Sequence, residues 1–400
     1  MEPSRSQLKI AYLLSQYPAV NHVFMLREVR FLRQLGIDVQ VASIRNPDRD
    51  PGLMTAAERE EARSTYYVKS SGLFQLVLAH VHTLVSRPVC YVRGLAGALR
   101  NLYGLFYFAE AVAVGYWMKR QGLTHVHTHY ASAVGVRVGR IFPVTLSIAF
   151  HGPAEFQDPA GSRLAEKVHA CLFCCAISQY GVSQLMYACG YPAWSKLELT
   201  ALGVDPDGFP PRPFRASPSP FEIICVGRLA AVKGQHVLIA AMAALVKEGR
   251  HIRLRFAGDG PDRAALRQDA ESRGLADCVS FEGNVNQDKL LDLYRESDAL
   301  VLSSFAEGLP VVLMEAMAME IPCVAPWVNG IPEIVTHGTD GLLVPPGDAK
   351  ALARAIGRLM DDPELRRSLG DNGRLKILEK FDLRRNTEHL ADVFQRRLNA

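Results

Sequence analysis

The sequence predicts an α/β protein of two domains, each a parallel sheet wrapped by helices. Short apolar runs alternate with segments of helical period from residue 9 onward, the pattern of βαβ units. The alternation breaks at 206–220, where PDGFPPRPFRASPSP is the densest proline stretch in the chain, and it resumes at residue 221. With 400 residues there is ample material for two cores. The expected division is 1–205, a linker at 206–220, a second domain at 221–380 and a last helix at 381–400.

In the first domain a strand at 9–14 leads through SQYPAVNH to a helix at 24–35 whose apolar positions are dense enough to pack on a sheet, and Gly36 closes it. A strand at 38–44 follows. The intervening loop, with Asn21 and His22, lies where such a unit meets a ligand. Residues 51–119 read as helical and rich in arginine and aromatics, among them Arg87, Arg93, Arg100, Tyr103, Phe106 and Phe108. Two accounts compete here: helices that cover the sheet, or an amphipathic face at 73–118 resting on an anionic bilayer. The strand at 124–129 alternates His125, His127 and His129 onto one face. Strand neighbours on one face stand about 7 Å apart, so the three are not expected to share one metal. Residues 147–150 deliver His151 to a strand end, where Gly152 is expected to let the backbone turn. Another buried strand spans 172–178, and Ser178 caps the helix after it.

The second domain opens with a strand at 221–226 and a loop, Gly227-Arg-Leu-Ala-Ala-Val-Lys-Gly234, in which Arg228 and Lys233 can converge on an anion. Strands at 253–257 and 279–283 follow, the first ending in Gly258-Asp-Gly-Pro261 and the second in the loop that holds Asn284 and Val285. Next, 298–303 is an apolar strand, 304–308 a polar turn, and Pro310 opens a helix. Glu307 thus sits in the turn and Glu315 inside the helix. The helix start around Gly308, Leu309, Pro310 and Val311 presents free N–H groups at the carboxyl end of a strand, a ready site for a diphosphate with a carboxylate on each side. A strand at 322–325 and helices at 331–335, 348–360, 363–381 and 383–398 complete the chain.

The E-x7-E pair Glu307 and Glu315, with Gly227-Arg-Leu-x3-Lys-Gly234, Gly258-Asp-Gly-Pro261, Asn329-Gly330 and Pro332-Glu333, resembles the family 4 retaining glycosyltransferases. The first helix, the arginine-rich insert and the H-x-H-x-H strand look most like the bacterial exopolysaccharide enzymes of colanic-acid type. That resemblance implies the GT-B fold: two facing Rossmann-like domains, with the C-terminal helix crossing back to the first. It implies that Arg228 and Lys233 bind the donor diphosphate, that backbone at Asn284 and Val285 meets the base, and that Glu315 takes the ribose hydroxyls. Glu307 and His151 would contact the transferred sugar as the catalytic pair of positions. Relatives commonly carry an acidic residue shortly after that histidine, and this chain has Glu155 and Asp158. The implied activity is retaining transfer of a hexosyl group, with a UDP-sugar favoured and GDP-mannose compatible, to a glycan or lipid-linked glycan. No cofactor or metal is required by it.

Composition narrows the alternatives. A net charge of +4 gives no case for a nucleic-acid partner. Eight cysteines, several in the apolar run Cys171 to Cys175, read as reduced core thiols and point to a cytoplasmic protein, with peripheral contact at the inner face of the plasma membrane on the second account above. No apolar run reaches the length of a membrane span. A dehydrogenase would need G-x-G-x-x-G after the first strand, which SQYPAVNH lacks. A non-catalytic nucleotide-sugar-binding subunit and a GT-B nucleotide-sugar epimerase are the other readings, and the oligomeric state is not legible.

Overall fold

The computed structural model describes residues 8–19, 23–99 and 102–399; the loop positions Asn21 and His22, and Arg100, fall outside them. The chain divides into two compact units, 1–200 with 387–400, and 201–386.

The first unit is built on seven parallel strands: β1 (Lys9–Gln16), β2 (Asp38–Arg45), β3 (Tyr66–Tyr67), β4 (His125–His129), β5 (Thr145–Phe150), β6 (Phe173–Ala176) and β7 (Leu197–Leu199). Their order across the sheet is β3-β2-β1-β4-β5-β6-β7. Both faces are covered, which is why the strands read as nearly continuous apolar runs. On one face the helices Leu73–Ser86, Pro88–Ala98, Leu102–Gln121 and Ser132–Ile141 contribute Ala79, Ala98, Phe108, Val112 and Val136 to the core. On the other, Met25, Leu26, Val29 and Leu32 of the helix Val23–Gln34 pack with Leu390, Val393 and Phe394 of the last helix against Ile10, Tyr12 and Leu14. The span 51–119, expected to be helical throughout, contains β3, which pairs with Ala42 and Ser43. Two residues are too few to display a period of two, so the sequence could not reveal it.

The second unit carries six parallel strands: β8 (Phe221–Val226), β9 (Ile252–Ala257), β10 (Val279–Gly283), β11 (Ala299–Val301), β12 (Cys323–Pro326) and β13 (Leu342–Val344), in the order β10-β9-β8-β11-β12-β13. The stretch at 206–220, expected as a linker, is part of this unit. Arg215 pairs with Asp298, whose Oδ2 also accepts from the Glu222 N–H at 2.8 Å. The buried Arg366 donates to the carbonyls of Arg215 at 3.1 Å and Ala216 at 2.6 Å. Arg366 and Arg212, which donates to the Pro213 carbonyl at 3.0 Å, take up carbonyls of the segment, so it is fastened rather than loose.

In each sheet the strand order reverses once, between β1 and β4 and between β8 and β11. The carboxyl ends of the strands flanking such a reversal form the crevice in which open α/β sheets hold ligands. Among the described residues no helix is long and apolar enough to cross a membrane, and all eight cysteines are free thiols.

Candidate active site

At the β8/β11 reversal two loops leave side by side. Gly234 adopts the left-handed region at φ +59°, and a Cβ there would stand 2.3 Å from the Ser303 carbonyl oxygen. Only a glycine lets the 227–234 loop lie this close to the loop after β11. Phe305 N–H donates to the Val232 carbonyl at 2.8 Å, and Ser303 Oγ to that of Lys233 at 3.2 Å. The clamp delivers Lys233 Nζ to Oε1 of Glu307 at 2.6 Å. Ser304 Oγ donates to the same oxygen at 2.6 Å, and the Glu307 N–H donates to Asn329 Oδ1 at 3.3 Å. The Glu307 carboxylate is 8% exposed and the Lys233 side chain 28%, so the pair is held at the edge of the interior.

The helix Val311–Ala318 begins one turn beyond Glu307, and its cap residue Pro310 offers no side-chain acceptor. The Leu313 N–H turns back to the Pro310 carbonyl at 3.1 Å, and no side chain caps the N–H groups ahead of it, so the positive dipole end suits an anion. Gly308, Leu309 and Pro310 are buried, and Val311 is partly exposed. Glu315 lies on the buried side of this helix, where Oε2 accepts from the Tyr294 hydroxyl at 3.0 Å.

Arg228 is exposed, and among the described residues no carboxylate pairs with it. Its carbonyl accepts from Gln235 Nε2 at 2.9 Å, which ties the loop to the following helix. The ends of β8, β9 and β10 form one rim. The Gly258 N–H donates to the Gly283 carbonyl at 2.8 Å, and a Cβ on Gly258 would meet the Gly227 oxygen at 2.1 Å. Asn284, exposed, and Val285, half-buried, continue that rim beyond Gly283. The structure thus joins Lys233 to Glu307 directly, sets Gly308 to Val311 beside them, and leaves Arg228, Asn284 and Val285 along the strand ends.

His151 belongs to the first unit, immediately after β5, and is 6% exposed. Gly152 has an extended φ of −143° that any residue adopts, so the chain does not leave the strand through a glycine-only turn as expected. The expected acidic companions are engaged elsewhere: Glu155 pairs with Lys167 at 2.8 Å, and Asp158 Oδ1 accepts from the Gly161 N–H at 2.8 Å. His151 Nε2 instead lies 2.7 Å from His129 Nδ1. Tyr130, a non-glycine residue at φ +59°, stacks on the His151 ring with centroids 4.8 Å apart. Left-handed backbone in a bulky residue is a strain found disproportionately at functional positions.

The sequence reading missed what stands behind His129. Glu28 is buried in the first helix, its Oε1 3.4 Å from His129 Nε2 and 3.0 Å from the donating Tyr12 hydroxyl. Glu28 falls on the stripe of Met25, Val29 and Leu32, and a lone carboxylate on an apolar stripe was the available signal. The expectation concerned all three strand histidines, and among the described residues the close group leaves His125 out: the His127 and His129 rings lean to 4.7 Å between centroids, and it is Glu28 that joins them, each of the three bringing a ligand atom within 4.8 Å of the others. Burial pushes His125 down to about 3 and His127 well below its ordinary value, so both are neutral at pH 7.

Residues 211–376 match the family described as Glycosyl transferases group 1. The chain is 36% identical over 208 residues to the putative colanic acid biosynthesis glycosyltransferase WcaL of Escherichia coli K12, covering 50% of this chain and 51% of that protein. It is 26% identical over 416 residues to the amylovoran biosynthesis glycosyltransferase AmsK of Erwinia amylovora, covering 97% and 100%. The match thus spans about half the length of the first relative and all of the second. Among solved structures, Anabaena Alr3699/HepE in complex with UDP and glucose superposes over 97% of this chain and 99% of its own, with a TM-score of 0.75 at 18% identity. That likeness shows the fold, which is GT-B.

Proposed function

We propose that this chain, whose residues 211–376 belong to the group 1 glycosyl transferases, moves a hexosyl group from a nucleotide sugar to a glycan acceptor in exopolysaccharide synthesis, with retention at the anomeric carbon. The observation that carries this reading is the contact of Lys233 with Glu307 at the β8/β11 reversal, beside a helix start with no side-chain cap.

A departing nucleoside diphosphate needs its charge neutralised. On this reading Arg228, Lys233 and the N–H groups at the start of the helix Val311–Ala318 meet that charge. Glu307 accepts from hydroxyls of the transferred sugar, Glu315 from those of the ribose, and backbone at Asn284 and Val285 meets the base. His151 presents an imidazole to a sugar hydroxyl. With the donor phosphate receiving the acceptor proton, no side chain acts as nucleophile and the donor charge is met without a metal. A UDP-sugar is the favoured donor, in keeping with the UDP bound by the Anabaena protein, and GDP-mannose is compatible.

The acceptor is lipid-linked on this reading, and the first unit rests on the membrane that holds it. Between Glu61 and Glu110 there is no acidic residue, while Arg63, Lys69, Arg87, Arg93 and Arg100 are basic. The helices of that span leave Leu73, Phe74, Val77, Val81, Val85, Val89, Leu102 and Phe106 exposed, several by more than half. An apolar face on a span with an excess of basic residues is suited to an anionic bilayer.

The test is release of nucleoside diphosphate, with a lipid-linked glycan fraction as acceptor, by the native protein and by Glu307→Gln. The reading predicts acceptor-dependent release, a product with the donor's anomeric configuration, and a fall of about 10- to 150-fold in the variant, the worth of a hydrogen bond to a charged group. Equal release with and without acceptor, or an inverted product, would contradict it.

A further inference from the structure

The proposed transfer leaves unused a buried set of metal-ligating side chains in the first unit. Glu28, His127 and His129 are 9%, 0% and 1% exposed, and they come from two elements, the first helix and β4. We propose that these three side chains form a binding site for a divalent cation of the zinc type.

One ligand atom from each residue lies within 4.8 Å of the other two. The best-defined edge, His129 Nε2 to Glu28 Oε1, is 3.4 Å, close to the separation of two ligands on a tetrahedral ion with bonds of about 2.0–2.2 Å. Two imidazoles and one carboxylate are a donor set zinc takes with a further position left for water.

The second observation concerns the nitrogens turned away from the cluster. His127 Nδ1 is held by Ser147 Oγ at 2.7 Å and His129 Nδ1 by His151 Nε2 at 2.7 Å. In both rings Nδ1 is engaged, and Nε2, buried, has no hydrogen-bond partner. Metal-binding histidines are oriented in this way, one nitrogen fixed by an outer group so that the other is aimed at the ion. Glu28 is steadied likewise by the Tyr12 hydroxyl at 3.0 Å. Without a cation the fold buries two unsatisfied ring nitrogens, an arrangement that costs stability.

Occupancy would reach His151. A cation on His129 Nε2 leaves the ring proton on Nδ1, where it points at His151 Nε2 and fixes that ring's neutral tautomer. This consequence rests on the role given to His151 above; the site itself does not.

The experiment is titration of the chelator-stripped full chain with Zn2+ by calorimetry, and with Co2+ by visible absorption. The comparison set is Glu28→Gln, His127→Gln and Ser147→Ala, each checked for a native melting curve. The proposal expects one equivalent bound, the intense visible bands of a four-coordinate cobalt site without thiolate charge transfer, loss of binding in the first two variants, and weakening by about 10- to 100-fold in Ser147→Ala. It is overturned by a folded wild type that takes up no stoichiometric metal, by cobalt bands of thiolate or six-coordinate type, or by equal affinity in folded Glu28→Gln. Should the variants not fold, the cobalt spectrum of the wild type decides alone.

Discussion

Lys233 Nζ rests 2.6 Å from Oε1 of Glu307, a residue 74 positions later in the chain, and Ser304 Oγ shares that oxygen at the same distance. Two loops that leave different strands are thereby tied through one carboxylate. The tie depends on Gly234, whose missing Cβ admits the Ser303 carbonyl.

Removing the lysine leaves Glu307 nearly buried with one neutral partner. Lys233→Ala should therefore cost about 1–3 kcal/mol of stability, read from urea unfolding, besides any effect on turnover. Glu307→Gln keeps the shape and the Ser304 bond and should cost less. A neutral Lys233→Ala would mean that the pair is a solvated surface contact.

Glu315 and Tyr294 make a second, separate tie. Tyr294 is fully buried, and its hydroxyl donates to Glu315 at 3.0 Å. Tyr294→Phe should weaken nucleotide binding by freeing the Glu315 carboxylate from its fixed orientation, and lower stability by roughly 1–3 kcal/mol. Calorimetry with UDP and GDP checks the first effect and thermal unfolding the second. Unchanged affinity would separate Glu315 from the nucleotide.

Buried neutral histidines give the first unit an acid limit. His125 titrates at about 3 in the folded chain and near 6.5 when unfolded, and His127 is lowered in the same sense. Between those values the unfolded chain binds the proton and the folded chain does not, so stability is full above about pH 7 and falls as pH drops below 6.5. Each such imidazole contributes on the order of 1.4 kcal/mol per pH unit. Unfolding followed from pH 8 to 5 should show the decline, and His125→Gln should make it shallower, with His127 supplying the remainder. A stability that is flat over that range would show that these rings take up protons in the native state.

The exposed apolar face predicts binding to vesicles. Phe74 and Val85 are 79% and 77% exposed on a helix without acidic residues. Co-sedimentation with anionic vesicles should be strong at low salt, weaken as salt rises, and drop sharply in Phe74→Ser with Val85→Ser. Equal sedimentation of native and variant chains would place the membrane contact elsewhere.

Most strands of both sheets and the positions of the two carboxylates were legible because short apolar runs, glycine turns and a proline-started helix agree along the sequence, whereas the short edge strands β3 and β13 were not. Contacts made across the sheet were not. Lys233 and Glu307 each stood out in a motif, yet nothing local joins residues 74 apart. Proline density at 206–220 reads as a tether, and only packing reveals that Arg366 holds its carbonyls. The His151 to His129 contact escaped for a similar reason. Acidic neighbours in sequence, Glu155 and Asp158, drew attention, whereas the ring meets His129 of the adjacent strand, Tyr130 just after it and Phe24 of the first helix.

The central claim is that the second unit holds a nucleotide sugar through its diphosphate. The most direct measurement is a thermal-shift panel of UDP- and GDP-sugars without added metal, on the native chain and on Arg228→Ala. A ligand at about 100 times its Kd stabilises by roughly 2.7 kcal/mol, which a melting curve resolves. The account predicts a rise in Tm with one nucleotide series, largely lost in the variant. No shift with any member of either series at millimolar concentration would contradict it.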